Sequence, residues 1–192
     1  VDLCDITTAV SEYDAQYYRS ISLDTKKIKI FSNVIDLNNY SKPEKNIFDI
    51  RKPCIYLSGS FAPKSPMDKA SRWFMQDVFP LIKKEIPNIY LYIVGNDSDK
   101  VLSDINDSNI KIVGKVKSVL PYLTNSDVAI VPLMFESGTR FKILEAAACN
   151  IPIVSTVLGA EGLKVSHGED IFIADEPELF AKATQFVLPK DY

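Results

Sequence analysis

The chain has 192 residues, 46% of them hydrophobic and 24% charged, with a formal net charge of -3. This is the composition of one ordinary globular domain, large enough for a real core and too short for a second complete one. The acidic balance without a basic block argues against nucleic acid as a partner, and no run of about 18 apolar residues is present to span a membrane.

In chain order, residues 6–10 and 28–31 predict two short strands flanking a helix over 11–20, one βαβ unit. A polar stretch over 38–46 follows. Residues 1–40 are therefore expected to be the tail of, or a bridge from, a preceding domain. A linker runs to about residue 50, and 51–192 form the main domain. Apolar runs at 54–57, 89–94, 110–113, 128–131, 151–154 and 171–173 are mostly continuous rather than alternating, the pattern of strands covered on both faces. Residues 67–79 place Ala70, Trp73 or Phe74, Val78 and Leu81 at helical spacing, with Pro80 expected to break or kink the helix. Residues 118–125 predict a short helix. Residues 139–149 predict a stronger one, stopped by Asn150 before Ile151 and Pro152. Strand and helix in alternation predict an α/β fold, a doubly wound and mostly parallel sheet. Ligands of such sheets bind beyond the carboxyl ends of the strands, here the turns after Leu57, Val94, Val113, Val131 and Val154.

The stretch from Asp127 to Thr156, DVAIVPLMFESGTRFKILEAAACNIPIVST, carries the chemistry. Arg140 and Lys142 stand in the opening turn of the predicted helix, an end already positive by about half a charge. A bound anion such as a diphosphate reverses that cost. Neutralisation by Glu136, or exposure of both cations to water, also accounts for them. Glu145 is the only charged residue from Ile143 to Thr156 and stands among Leu144, Ala146, Ala147 and Ala148. Such a carboxylate needs hydrogen-bond donors. Ribose hydroxyls suit it, as does a backbone N–H or a lysine.

With NIPIVST and GAEGL behind it, SGTRFKILEA resembles the donor-binding core of GT-B glycosyltransferases of the large retaining group-1 superfamily, in the GTRxKxxEA subgroup. The likeness covers almost the whole chain. SEYDAQYYRS with IKIFSNVID resembles the end-of-domain helix and the strand before the linker. YLSGSFAPKSPMDKASRWF resembles the first strand and its phosphate-facing turn. YLYIVG, then IKIVGKVKSVLPYLTNSDVAIVPL, match the next strands in order. The resemblance implies a Rossmann-like C-terminal domain that binds a nucleotide-diphosphate sugar. Glu145 would hold the ribose, and Gly138 and Thr139 would offer N–H groups to the diphosphate. Arg140 and Lys142 would supply charge. Lys115, Val116 and Lys117, after Gly114, would frame the base. Gly59 and Ser60 form the turn after the first strand.

Two positions depart from the family pattern. The first glutamate of its pair should stand at Ser137, with Glu136 one residue off register, which leaves the donor sugar open. The arginine after the turn glycine is replaced by Ser60, so phosphate charge falls to Arg140, Lys142 or Lys64. The expected function is transfer of a sugar from the nucleotide donor to a glycan or glycolipid acceptor, as in polysaccharide biosynthesis, with no cofactor and no metal. The remaining catalytic machinery would come from a missing N-terminal domain, leaving this chain a fragment inactive alone. The lack of an initiator methionine and of signal-peptide features at VDLCDITTAV agrees with a fragment of a cytoplasmic protein, peripheral to a membrane only through that domain. A non-catalytic nucleotide-sugar-binding or regulatory module and a nucleotide-sugar epimerase are the alternatives.

Other signals are weaker. Asp97-Ser98-Asp99 has the spacing of a metal-binding DxD but also of a solvated acidic turn. His167, the only histidine, lies in VSHGED beside Gly168, which predicts a surface loop rather than a catalytic base. Cys4, Cys54 and Cys149 lack CxxC spacing and predict free thiols.

Overall fold

The computed structural model describes residues 1–40, 50–135 and 141–190. The first two apolar runs form β1 (Thr7–Ala9) and β2 (Ile28–Ile30), paired in parallel, with α1 (Glu12–Ile21) crossing between them. Ser11 caps α1 by accepting from the Asp14 N–H at 3.1 Å, and Glu12 and Asp14 put negative charge at the helix's positive end. This unit is a two-stranded sheet of its own, with a small core of Ala9, Ala15 and Ile28.

The other six apolar runs pair into one parallel sheet: β3 (Cys54–Ser58), β4 (Tyr90–Val94), β5 (Ile110–Gly114), β6 (Val128–Val131), β7 (Ile153–Ser155) and β8 (Phe172–Ile173). The order is β5-β4-β3-β6-β7-β8. The chain builds outward from β3 to β5, then returns to lay β6 on the other side of β3. That reversal is a topological switch point. Ile55, Leu57, Leu91, Ile93 and Ile130 are buried as continuous apolar strands require. At the amino ends of the strands, buried Asp127 accepts from the Cys54 N–H at 2.8 Å and from Lys52 Nζ at 2.7 Å, fastening β6 to β3.

At Pro80, where a break or a kink is expected, the helix does not break. Residues 66–85 run as α2 (Pro66–Trp73), a π-helical turn (Phe74–Val78) and α3 (Phe79–Glu85) without interruption. Pro80 is the second residue of α3. It cannot donate to the preceding turn, and the wider π turn just before it takes up that mismatch, so the helix continues. Ser65 caps α2, with Pro66 at its first position. The remaining helices are α4 (Ser98–Val101), α5 (Leu120–Thr124), α6 (Phe141–Ala148) and α7 (Pro177–Val187). Neither α4 nor α7 is anticipated by the sequence reading. α7 buries Phe180 edge-on against Trp73 and Phe74, at 5.6 and 5.9 Å between ring centres. α6 stops at Asn150, which adopts a left-handed φ of 56° while the Ile151 N–H donates to the Ala146 carbonyl at 3.0 Å. Among the described residues, no helix is long and apolar enough to cross a membrane.

Candidate functional site

Three glycines stand where β3, β4 and β5 end. Gly59 donates its N–H to the Val94 carbonyl at 3.1 Å, and Gly95 donates to the Gly114 carbonyl at 2.9 Å. The Phe61 N–H then donates to the Asn96 carbonyl at 2.9 Å. These bonds extend the sheet past its strands and bring the turns into backbone contact. A Cβ on Gly95 would lie 1.7 Å from the Gly59 carbonyl oxygen, and Gly95 has a φ of 149°. No side chain fits there.

This glycine floor carries a cleft of about 560 Å³, lined by Ser58, Gly59, Ser60, Gly95, Lys115 and Val116 from the strand ends and by Phe141, Lys142 and Glu145 from α6. Phe141, Lys142 and Glu145 fall one and four residues apart, so the helix turns all three toward the β3 side. The cleft opens at the switch point between β3 and β6, the place at which doubly wound sheets receive ligands. Lys142 crosses its edge, with Nζ 3.3 Å from the Met67 sulfur. Met67 lies against Gly59 in turn.

Glu145 is half-buried, and its Oε1 accepts a hydrogen bond at 3.0 Å from the Tyr40 hydroxyl, 105 residues earlier in the chain. The donor to this carboxylate among the described residues is thus a phenol, a partner that the sequence reading does not name. Burial, and then the hydrogen bond to Glu145, push the Tyr40 phenol above its ordinary pKa. Beneath the cleft on β3, the Tyr56 hydroxyl is buried with no hydrogen-bond partner among the described residues. Burial foremost raises its pKa, against the opposing pull of the nearby Ser58 hydroxyl.

Of the residues singled out in the sequence, Gly59, Ser60, Lys115, Val116, Lys142 and Glu145 meet in this cleft. Lys117 is exposed and is not among the lining residues. Glu136, Ser137, Gly138, Thr139 and Arg140 lie outside the described residues. Sequence reasoning missed Ser58, Gly95, Asn96, Val119 and Phe141 as lining residues. Gly95 and Asn96 had a signal, since they follow the apolar run 89–94 at a carboxyl strand end. Tyr40, in the polar connector, had none.

The weaker signals have local partners in the structure. Asp97 pairs with Lys100 at 2.5 Å and accepts from the Asn96 amide at 2.8 Å. The Lys100 ammonium holds its carboxyl below the usual range. No group of three metal-ligating side chains gathers among the described residues. His167 Nδ1 accepts from the Ile173 N–H at 3.0 Å, so the ring fixes the loop before β8. The three cysteines are free; burial, then the Asp127 charge, push the Cys54 thiol up to about 11, which leaves it unreactive. A second cleft of about 580 Å³ lies between α1 and β2 on one side and Gly162, Leu163 and Lys164 on the other. It shares no lining residue with the first.

The model of the family described as glycosyl transferases group 1 matches residues 52–189. Among curated proteins, the chain is 31% identical over 149 residues to the capsular polysaccharide biosynthesis glycosyltransferase CapH of Staphylococcus aureus, covering 71% of this chain and 38% of CapH. It is 27% identical over 119 residues to an uncharacterised 44.6 kDa protein in the cps region of Klebsiella pneumoniae, covering 57% of this chain and 31% of that protein. The chain thus spans about a third of the length of these relatives. Among solved structures it is similar in fold to Anabaena Alr3699/HepE in complex with UDP and glucose, with a TM-score of 0.71 at 15% identity, covering 96% of this chain and 53% of HepE. The C-terminal domain of LpcC, a glycosyl transferase group 1 family protein of Francisella tularensis, is similar at a TM-score of 0.64 and 15% identity, covering 80% of this chain and 87% of that one. With the sheet order, the switch-point cleft and a family match over most of its length, this chain belongs to the glycosyl transferases group 1 family.

Proposed function

We propose that the chain is the C-terminal, donor-binding half of a glycosyltransferase that moves a sugar from a nucleotide-diphosphate sugar to a glycan or glycolipid during polysaccharide assembly. The observation that carries this reading is the convergence of Gly59, Ser60, Lys115, Lys142 and Glu145 on one cleft at the switch point. The similar fold of HepE, solved with UDP and glucose, supports a nucleotide there. Glu145 accepts ribose hydroxyls. Lys142, with Arg140 and the Gly138 and Thr139 N–H groups just before α6, takes the diphosphate. Lys115, Val116 and Lys117 border the base. Electrostatic stabilisation of the departing diphosphate by these fixed groups is the chemical contribution, and it needs no metal.

The N-terminal unit supports the reading that catalysis is completed by a further domain. Tyr17, Phe31, Val34 and Leu37 are exposed, Phe31 at 75% and Val34 at 78%. Apolar surface gathered on so small a unit is the surface that adjoining chain would cover. A non-catalytic nucleotide-sugar-binding module is the second reading, favoured by Ser137 and Ser60 in place of the glutamate and arginine of the family pattern.

Calorimetric titration with UDP and GDP, with and without Mg²⁺, tests the proposal. One nucleotide should bind without metal, and Arg140→Ala and Glu145→Gln should each weaken it by about tenfold, the loss of one charge-assisted contact. Binding that requires Mg²⁺, or that neither substitution alters, contradicts the assigned roles.

A further inference from the structure

We propose that Tyr40 is a positioning residue for nucleotide binding. Its phenol, delivered from the connector, holds the Glu145 carboxylate toward the cleft so that the remaining acceptor positions receive the ribose hydroxyls. The inference rests on the donor-binding reading of the cleft.

The connector is built to place this one side chain. Asp36 caps a 3-10 turn, Leu37–Asn39, by accepting from the Asn38 N–H at 3.0 Å. Tyr40 closes the turn by donating its own N–H to the Leu37 carbonyl at 3.0 Å. Its ring is half-buried, and its hydroxyl reaches Glu145 Oε1 at 3.0 Å. A carboxylate has acceptor positions for about four hydrogens, so one phenol fixes its orientation and leaves the other oxygen for a diol.

Without the Tyr40 hydroxyl, the carboxylate loses the donor that fixes its orientation and is free to turn away from the ligand.

The test is titration of the full chain with UDP and with 2′,3′-dideoxy-UDP, on the parent protein, Tyr40→Phe, Glu145→Ala and the double variant, with thermal melts to confirm folding. Tyr40→Phe should weaken UDP about three- to tenfold. It should leave the dideoxy analogue unchanged and add nothing in the Glu145→Ala background. A structural role alone would move both nucleotides together. Unchanged or tighter UDP binding by Tyr40→Phe, an equal loss for both nucleotides, or additive losses with Glu145→Ala would each overturn the proposal. If Glu145→Ala weakens UDP and Tyr40→Phe does not, the positioning role fails and the donor-site reading stands. If the parent protein binds no UDP, the donor-site reading fails and takes the positioning role with it.

Discussion

At the scale of single residues, the site depends on side chains that are present and on one that is absent. Glu145 and Lys142 give the cleft opposite charges on one helix, suited to the two parts of a nucleoside diphosphate: hydroxyls for the carboxylate, phosphate for the ammonium. Gly95 matters for what it lacks. Its Cα approaches the Gly59 carbonyl so closely that a methyl group would sit 1.7 Å from that oxygen, and backbone cannot swing aside as the tip of a side chain does. Gly95→Ala must therefore part the turns after β3 and β4. We expect it to cost about 2 kcal/mol or more of stability, measured by urea unfolding, and to weaken nucleotide binding because the cleft floor opens. A Gly95→Ala variant with unaltered midpoint and affinity would show that the two turns are not packed as described.

At the scale of elements, ion pairs tie helices α2 and α3 to the loop that leads into β5. Lys83 of α3 donates to both carboxylate oxygens of Asp107, at 2.9 Å each, and the Asn109 N–H donates to the same group at 2.8 Å just before β5. Burial works to raise the Asp107 pKa, but the Lys83 ammonium and the Asn109 N–H outweigh it and hold the carboxyl below its ordinary 3.8. Arg72 of α2 holds Asp104 below its ordinary value in the same way, through two bonds of 2.7 and 2.9 Å. Depressed folded-state values mean that this stabilisation is fully present above 3.8 and is lost as pH falls through the lower folded values. The urea midpoint is expected to stay level from neutral pH down to about 4 and then to fall. Asp107→Asn should lower stability by about 0.5–1 kcal/mol at pH 7 and make the acid fall shallower. A midpoint that rises below pH 4 contradicts this assignment.

The elements also show what a sequence can convey. The central strands β3, β4, β6 and β7 are legible because a strand buried on both faces must be a short, continuous apolar run, and such runs are visible without knowledge of partners. The sheet order is not, because pairing depends on crossovers that no local pattern records. The helix through Pro80 escapes a sequence reading for a local reason: proline argues for a break, whereas burial of Phe74, Val78, Phe79 and Ile82 on one side keeps the helix together through a π turn. Half of the site is legible in the same way as the strands. Glu145 stands out as an isolated charge among small apolar residues, and Gly59 and Ser60 as a turn at the end of a strand. Tyr40 carries no signal, since its partner lies 105 residues away and only the fold brings the two together.

At the scale of the whole molecule, the six-stranded sheet carries a large core of its own, whereas the small N-terminal unit has only Ala9, Ala15 and Ile28 beneath an exposed apolar surface. The connector joins the two and brings Tyr40 to Glu145 at the cleft, so the link between the units also reaches the site. The central claim is that a nucleoside diphosphate occupies the switch-point cleft, with ribose on Glu145 and phosphates at the start of α6. A crystal structure of the chain grown with UDP tests it most directly. The account predicts difference density in that cleft, with a ribose hydroxyl within hydrogen-bond distance of Glu145, phosphate oxygens near Lys142 and no bridging metal. Density for the nucleotide in the cleft beside Leu163, or a diphosphate held by a cation on Asp97 and Asp99, would contradict it.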